Sequence, residues 1–203
     1  MDAQGNGQFL TDVQELRRRA REHIQDGAIT AGYQGDRETV IKLLNDALAT
    51  EIVCVLRYKR HYFMAQGITS DSVKQEFAEH ATEEQEHADR IAERIVQLGG
   101  EPDLNPATLT QRSHSEYKEG ASLSDMLRED LVAERIAIES YREIVEWLRG
   151  KDPTTRRMME EILAVGLVAL GDGAVFDVPP RPLAQRLDVG QEFLGHLLRS
   201  SLQ

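Results

Sequence analysis

The sequence predicts an all-α protein: a four-helix bundle with a long crossover between the second and third bundle helices, plus a short N-terminal helix. Leu, Ala, Glu and Arg, all good helix formers, dominate a chain of 203 residues that is 40% hydrophobic and only 5% aromatic. Long segments carry apolar residues at alternating spacings of three and four, the period of a helix with one buried face. Residues 101–120 lack this period, and a connection of that length can run from one end of a bundle to the other.

Composition excludes several classes of function. The net charge of −11 argues against a protein that binds nucleic acid over its whole surface. Cys54 is the only cysteine, which rules out an intramolecular disulfide and favours a reducing compartment. We expect Cys54 to be a small buried hydrophobe. No apolar run approaches the roughly 20 residues that span a bilayer, so we expect a cytoplasmic protein with no membrane partner.

The chain divides into three predicted parts. Residues 1–35 form an arm with a short helix at about 10–28, for which Thr11 is the candidate cap. Its arginines, Arg17, Arg18, Arg19 and Arg21, suit a nucleic-acid arm, an oligomer contact or pairing with nearby acidic side chains, and we favour the last. Residues 36–170 form the bundle. Residues 171–203 form an atypical tail, with a predicted short helix at 187–202.

The first two bundle helices carry candidate metal ligands on their apolar faces. The first, predicted over 36–66 with Asp36 as cap, places Glu51 in its buried stripe, with Tyr58 seven residues later on the same face. The second, from 70 or 71 to 98, carries Glu84 and His87 one helical turn apart. Such a Glu-x-x-His pair, facing the interior of a bundle, can bind one metal ion.

Two further positions complete the pattern. The third bundle helix, from 122 or 124 to 150, carries Glu134 in its apolar stripe, with Tyr141 seven residues later. Each of the three helices thus has a buried-looking Glu 10 to 15 residues from its predicted start, near the middle of the helix, which predicts three carboxylates at about one level of the bundle. His80 precedes His87 by seven residues, a spacing that would also let it face inward, but we favour a packed or exposed histidine.

The fourth bundle helix departs from this pattern. It begins at Asp152 and Pro153 and should carry a second Glu-x-x-His near position 167, but VGLVAL (165–170) contains neither residue type. Three explanations stay open: a degenerate centre, a ligand supplied by Asp172 or Glu161, or a change of reading frame that replaced the natural C-terminal part. The missing ligands predict a site for one metal, or for two with the second bound weakly.

Residues 36–165 resemble the bacterioferritin and ferritin-like family. The motifs that carry the resemblance are LNDALATE (44–51), EQEHADRI (84–91), DLVAE (130–134) and DPTTRRMM (152–159). The resemblance implies a homo-oligomeric shell with an intrasubunit ferroxidase centre that oxidises Fe(II) with oxygen or peroxide and stores the product.

The resemblance also implies roles for particular residues. Glu51, Glu84 and His87 would hold one iron, Glu84 would bridge to a second iron bound by Glu134, and Tyr58 would lie beside the centre. Manganese and zinc are alternative metals for these ligands. The family's haem-binding methionine is replaced by Gln85, so haem is not expected.

Three other functions stay open on the sequence alone. One is a Dps-type shell that protects DNA, using the Arg17 to Arg21 arm. The second is a di-manganese or di-iron oxidase or catalase on the same bundle. The third is a helical bundle with no working centre.

Overall fold

The computed structural model describes residues 12–27, 29–30, 32–66 and 70–169, and all regular structure in these residues is helical. The helices are α1 (Val13–Glu22), α2 (Arg37–Met64), α3 (Ser70–Gln97), α4 (Leu109–Arg112), α5 (Leu123–Trp147) and α6 (Pro153–Ala169). The four long helices α2, α3, α5 and α6 form the bundle. Among the described helices, none is both long and apolar enough to cross a membrane.

The ends of the bundle helices follow from local chemistry. The Asp152 carboxylate accepts a hydrogen bond of 2.9 Å from the amide of Thr155, and Pro153, which has no amide hydrogen to leave unpaired, begins α6. Ser122 caps α5 in the same way by accepting from the amide of Asp125. Gly99 ends α3 with a φ of +74°, a left-handed conformation that glycine adopts without steric cost.

The N-terminal helix is shorter than predicted, and its cap is different. It covers Val13–Glu22 instead of about 10–28, and Asp12 is the cap residue, accepting a hydrogen bond of 2.8 Å from the amide of Gln14. No residue of α1 is buried. The predicted cap, Thr11, and the predicted tail with its helix at 187–202 lie outside the described residues.

Side-chain contacts give the directions of the helices. Along α2, Glu51 meets Tyr141 and Tyr58 meets Glu134, so rising numbers on α2 pair with falling numbers on α5. Arg90 and Arg94 of α3 pair in the same reversed order with Glu161 and Asp152 at α6. The pairs α2/α5 and α3/α6 are therefore antiparallel.

The connection from α3 to α5 travels along α2, as a crossover must. Asp103 lies against the N-terminal half of α2, where its amide donates to the side chain of Asn45. Farther on, the amide of His114 donates to the hydroxyl of Thr50. Near the end of the crossover, Arg57 on the C-terminal half of α2 donates to the carbonyl of Glu116. The short helix α4 within this crossover was not predicted.

The buried core consists of two main apolar clusters at different heights in the bundle. The larger contains residues of all four long helices: Val40, Leu44, Ala47, Leu48, Ala88, Ile91, Ile95, Leu98, Tyr141, Ile144, Val145, Leu148, Met159 and Ile162. The smaller contains Cys54, Tyr58, Ala65, Val73, Phe77, Ala81, Met126 and Ala133. Cys54 is 3% exposed, which confirms the predicted buried hydrophobe. On α2 and α3, Glu51 and Glu84 fall in the sequence gaps between the two clusters.

Candidate metal centre

Glu51, Glu84 and His87 converge at the centre of the bundle. Each offers a ligand atom within 4.8 Å of those of the other two, and they form the one such group of three or more among the described residues. His87 Nδ1 lies 3.3 Å from Glu84 Oε2 and 3.5 Å from Glu51 Oε2. Ligand atoms at about 2.1 Å from a single ion lie at most about 4.2 Å apart, so small side-chain rotations would let the three residues bind one ion.

Glu51 gives the strongest indication that the site fits a cation. Its carboxylate is 2% exposed, and Oε1 accepts a hydrogen bond from the hydroxyl of Tyr141. Its other oxygen, Oε2, is buried and has no hydrogen-bond partner. The contact of Oε2 with His87 Nδ1 is at ion-pair distance and lacks hydrogen-bond geometry. A buried carboxylate oxygen without a partner is costly, and a bound cation would satisfy it.

The charge state of the group supports the same conclusion. Burial and the charge of Glu51 raise the pKa of Glu84 to about 8. Burial opposes the charged form of His87, but the carboxylates of Glu51 and Glu84 outweigh it and raise its pKa to about 10. When no cation is bound, protons on the carboxylate of Glu84 and on the imidazole of His87 therefore offset the negative charge of the group. A divalent ion would displace these protons.

Glu134 lies at the same cavity but outside the group of three. Burial and the charge of Glu84 raise its pKa to about 8, while a hydrogen bond of 2.6 Å from the hydroxyl of Tyr58 opposes that rise. The cavity has a volume of about 20 Å³, room for at least one water-sized occupant. Glu51, Glu84, His87, Glu134, His80 and Tyr141 all line it.

The two tyrosines hold the carboxylates across the α2/α5 pair. Tyr58 follows Glu51 by seven residues and binds Glu134, whereas Tyr141 follows Glu134 by seven residues and binds Glu51. Each hydroxyl therefore fixes a carboxylate on the opposite helix. The sequence spacing showed the repeated Glu and Tyr pair, but only Tyr58 was predicted as a site residue, because the family resemblance extended to Tyr58 and not to Tyr141.

Two sequence-based interpretations are corrected. His80 is neither simply packed nor exposed, because it lines the cavity with its side chain 14% exposed. Its place two helical turns before His87 was the available signal. Glu161, an alternative ligand, is an exposed residue paired with Arg90 and Arg157, since α6 turns it away from the cavity. Asp172 lies outside the described residues.

A buried charged network beside the site was also missed. Asp130, one turn before Glu134, accepts from Arg57 at 2.7 Å and lies 2.8 Å from His61 Nδ1. Arg57 and His61 are fully buried, and both also reach carbonyls of the crossover. The available signal was Asp130, which lies one helical turn before Glu134 on the same face of α5. The network ties α2, α5 and the crossover together next to Tyr58.

Comparison with known proteins agrees with this architecture. The ferritin-like domain family matches residues 41–165, more than half of the chain, and the chain belongs to that family. A bacterioferritin of Brucella melitensis is 31% identical over 126 residues, covering 62% of this chain and 74% of that protein. A DNA protection during starvation protein of Pyrococcus furiosus is 30% identical over 131 residues, covering 63% and 71%.

Solved structures show the same helical bundle. A dodecameric thioferritin, the bacterioferritin-related protein of Bacteroides fragilis, aligns with a TM-score of 0.64 and 26% identity over 93% of this chain and 96% of that one. Dps from Thermosynechococcus elongatus aligns with a TM-score of 0.61 and 21% identity over 64% and 83%. The predicted fold class and family resemblance are confirmed.

Proposed function

We propose that this chain binds Fe(II) at Glu51, Glu84 and His87, oxidises it with oxygen or peroxide, and sequesters the product in a homo-oligomer. The observation that carries the proposal is the partnerless buried oxygen of Glu51 in a group of two carboxylates and one imidazole. Oxygen and nitrogen ligands of this kind suit iron, with manganese and zinc as competitors. Bacterioferritins among the relatives and the dodecameric thioferritin support the iron and oligomer parts of the proposal.

The carboxylates, the tyrosines and the net charge of the chain have different roles in this proposal. The negative charge of Glu51 and Glu84 favours Fe(III) over Fe(II), because a buried anionic site stabilises the higher charge more. Tyr58 and Tyr141 fix the carboxylates of Glu134 and Glu51, so that less reorganisation is needed when the ion binds. The acidic chain, with a net charge of −11, attracts cations towards the protein.

Aerobic iron oxidation tests the proposal. Fe(II) is added to the protein and to the double variant Glu84→Ala, His87→Ala, and ferric absorbance is followed. We expect the variant to lose at least 90% of the protein-dependent rate, an effect on the order of a removed ligand. The matched control is Glu86→Ala, His114→Ala, which removes an exposed Glu and an exposed His and should retain the rate. Equal rates in the two double variants would refute the proposal.

Metal analysis distinguishes the oxidase and catalase alternative. Iron in the purified protein, together with ferric product formation, supports iron storage. Manganese in the purified protein, together with dismutation of peroxide, would instead favour a catalase. Light scattering on the same sample gives the subunit number, and a monomer would remove the shell from the proposal.

DNA protection is the alternative suggested by the relatives' names. Helix α1 weakens it, because Arg18 and Arg19 already pair with Glu15, and Arg18 also pairs with Glu22, at 2.6 to 2.8 Å. Arginines paired within their own helix offer less charge to phosphate. We expect no salt-dependent retardation of DNA in a gel, and retardation that disappears in Arg17→Ala, Arg21→Ala would favour the alternative.

A further inference from the structure

The cavity has a second end that resembles the Glu51 end. There the ring of His80 stacks on Tyr58 with the ring centroids 5.2 Å apart, and the hydroxyl of Tyr58 donates to Glu134. A carboxylate held by a tyrosine thus stands near a histidine, as Glu51 stands with Tyr141 and His87 at the first end. Helix α3 supplies the histidine at both ends, and Glu84 lies between them in its sequence.

One ring nitrogen of His80 contacts a carboxylate of its own helix. Its Nδ1 lies 3.4 Å from Glu83 Oε2, a contact one helical turn apart on α3. A carboxylate at one imidazole nitrogen orients the ring and leaves the other nitrogen, here Nε2, for a metal. The pocket is lined by both His80 and Glu83, so this arrangement borders the cavity.

The fourth bundle helix offers no competing ligand in the described part of the cavity. Its contribution to the lining is Ile162, Leu163, Val165 and Gly166. A Cβ on Gly166 would lie 3.7 Å from Glu134 Oε2 and 3.6 Å from Ile138 Cγ1, so the backbone of α6 closely faces Glu134 there. Within the part of the chain that the structure describes, side chains that could complete a second cation site come from α3 and α5.

We propose that His80, Glu84 and Glu134 bind a second divalent cation, so that α3 completes a dinuclear site in place of α6. The inference rests on the proposed function, because Glu84 would be shared with the first ion. The ligand atoms of the second set are farther apart than the 4.8 Å of the first, so side-chain rotation must accompany binding. The second ion therefore binds more weakly than the first.

Equilibrium titration with Mn(II) tests this inference without relying on activity. Free Mn(II) is counted by electron paramagnetic resonance, which gives the number of bound ions per chain and both dissociation constants. We expect two ions per chain in the native protein. His80→Gln and Glu134→Gln should each raise the second dissociation constant at least tenfold and change the first less than threefold. His114→Gln, which alters an exposed histidine, is the control and should retain both ions.

The possible results separate the two proposals. An unchanged second dissociation constant in His80→Gln would overturn the role of His80. One ion per native chain would overturn the second site and leave the first intact, whereas no bound ion would overturn both. A crystal soaked in Mn(II) gives an independent check that needs no variant, because two anomalous peaks, one beside His80, are expected. A second peak without His80 among its ligands would contradict the inference.

Discussion

The hydroxyl of Tyr58 on α2 donates a hydrogen bond of 2.6 Å to the carboxylate of Glu134 on α5. Tyr141 on α5 donates the reciprocal bond to Glu51 on α2. The two bonds cross the same antiparallel pair of helices in opposite directions. Each carboxylate is therefore fixed by a residue of the facing helix, which links the register of the bundle to the geometry of the site.

Removing one hydroxyl should affect one end of the cavity. In Tyr58→Phe the pKa of Glu134 should rise above about 8, because this hydrogen bond opposes the effects of burial and of Glu84. We expect the second Mn(II) dissociation constant to rise by about tenfold, as for other residues that orient a metal ligand. Tyr141→Phe should instead weaken the first site. Tyr117→Phe, at an exposed tyrosine, is the control, and equal effects of Tyr58→Phe and Tyr141→Phe on both sites would contradict the prediction.

The buried carboxylates make stability depend on pH when a chelator removes metal. The pKa of Glu84 is raised from 4.5 to about 8, so the unfolded chain loses this proton at a lower pH than the folded chain. Glu84 therefore reduces the free energy of unfolding progressively between about pH 4.5 and 8. Glu134 acts in the same direction. The raised pKa of His87 stabilises the folded protein fully below about pH 6.5. This contribution is lost as the pH rises towards about 10.

Replacing Glu84 should reduce this loss of stability. We expect Glu84→Gln to lose less stability than the native protein between pH 5 and 8, by about 1 to 3 kcal/mol. Urea unfolding in the presence of a chelator at pH 5, 6.5 and 8 measures the difference. Glu86→Gln, at an exposed position on the same helix, should behave like the native protein. Identical pH profiles for the native protein and Glu84→Gln would contradict the prediction, because they would mean that the pKa of Glu84 is the same in the folded and the unfolded chain.

Metal affinity should rise with pH. A cation must displace the protons held by Glu84, with a pKa of about 8, and by His87, with a pKa of about 10. Each released proton makes the apparent affinity rise by about tenfold per pH unit below the corresponding pKa. Titration of Mn(II) at pH 6, 7 and 8 and constant ionic strength measures this slope. An affinity independent of pH would exclude binding at these two residues.

The buried network around Asp130 should be essential for stability. Asp130→Asn leaves the guanidinium of Arg57, which is 0% exposed, without its counter-charge. We expect a loss of about 3 to 5 kcal/mol in the free energy of unfolding, measured with urea. The control, Glu119→Gln, breaks the exposed pair with Arg60 and should cost less than about 1 kcal/mol. Similar losses of stability in both variants would show that the buried pair of Arg57 and Asp130 contributes no more to stability than the exposed pair.

The start of α6 depends on Asp152. This carboxylate is 1% exposed, caps the helix and pairs with Arg94, whose Nη2 lies 3.2 Å from Oδ2. Asp152→Ala should therefore lower the free energy of unfolding by about 3 kcal/mol, from the lost cap and the buried arginine left unpaired. Thermal unfolding followed by circular dichroism measures it. Asp125→Ala, which alters an exposed residue in the first turn of α5, should cost less, and the reverse order would contradict this account.

Local sequence was sufficient for the helices and for half of the site. Apolar spacing predicted α2, α3 and α5 to within a few residues, because one buried face imposes the helical period on the sequence. The same period placed Glu51, Glu84, His87 and Glu134 on inward faces. The short α4 was missed, since four residues are too few to show a helical period.

The sequence did not predict which side chains meet between helices. Tyr62 follows Tyr58 by four residues, a spacing that predicts a buried side chain, but it is 36% exposed. The neighbouring His61 and Ala65 are buried, so the helical period did not show which face of the last turn meets the bundle. The pairing of Arg57 with Asp130 joins residues 73 positions apart. Spacing within one helix contains no information about the partner helix.

By itself, the sequence determined an all-helical bundle, the absence of a second Glu-x-x-His in α6, and the inward position of four candidate ligands. The tertiary structure decided which carboxylate each tyrosine holds, that Glu51 Oε2 has no partner, and that His80 lines the cavity. The physical reason is that helical periodicity fixes the direction in which a side chain points. The register between antiparallel helices fixes what that side chain meets.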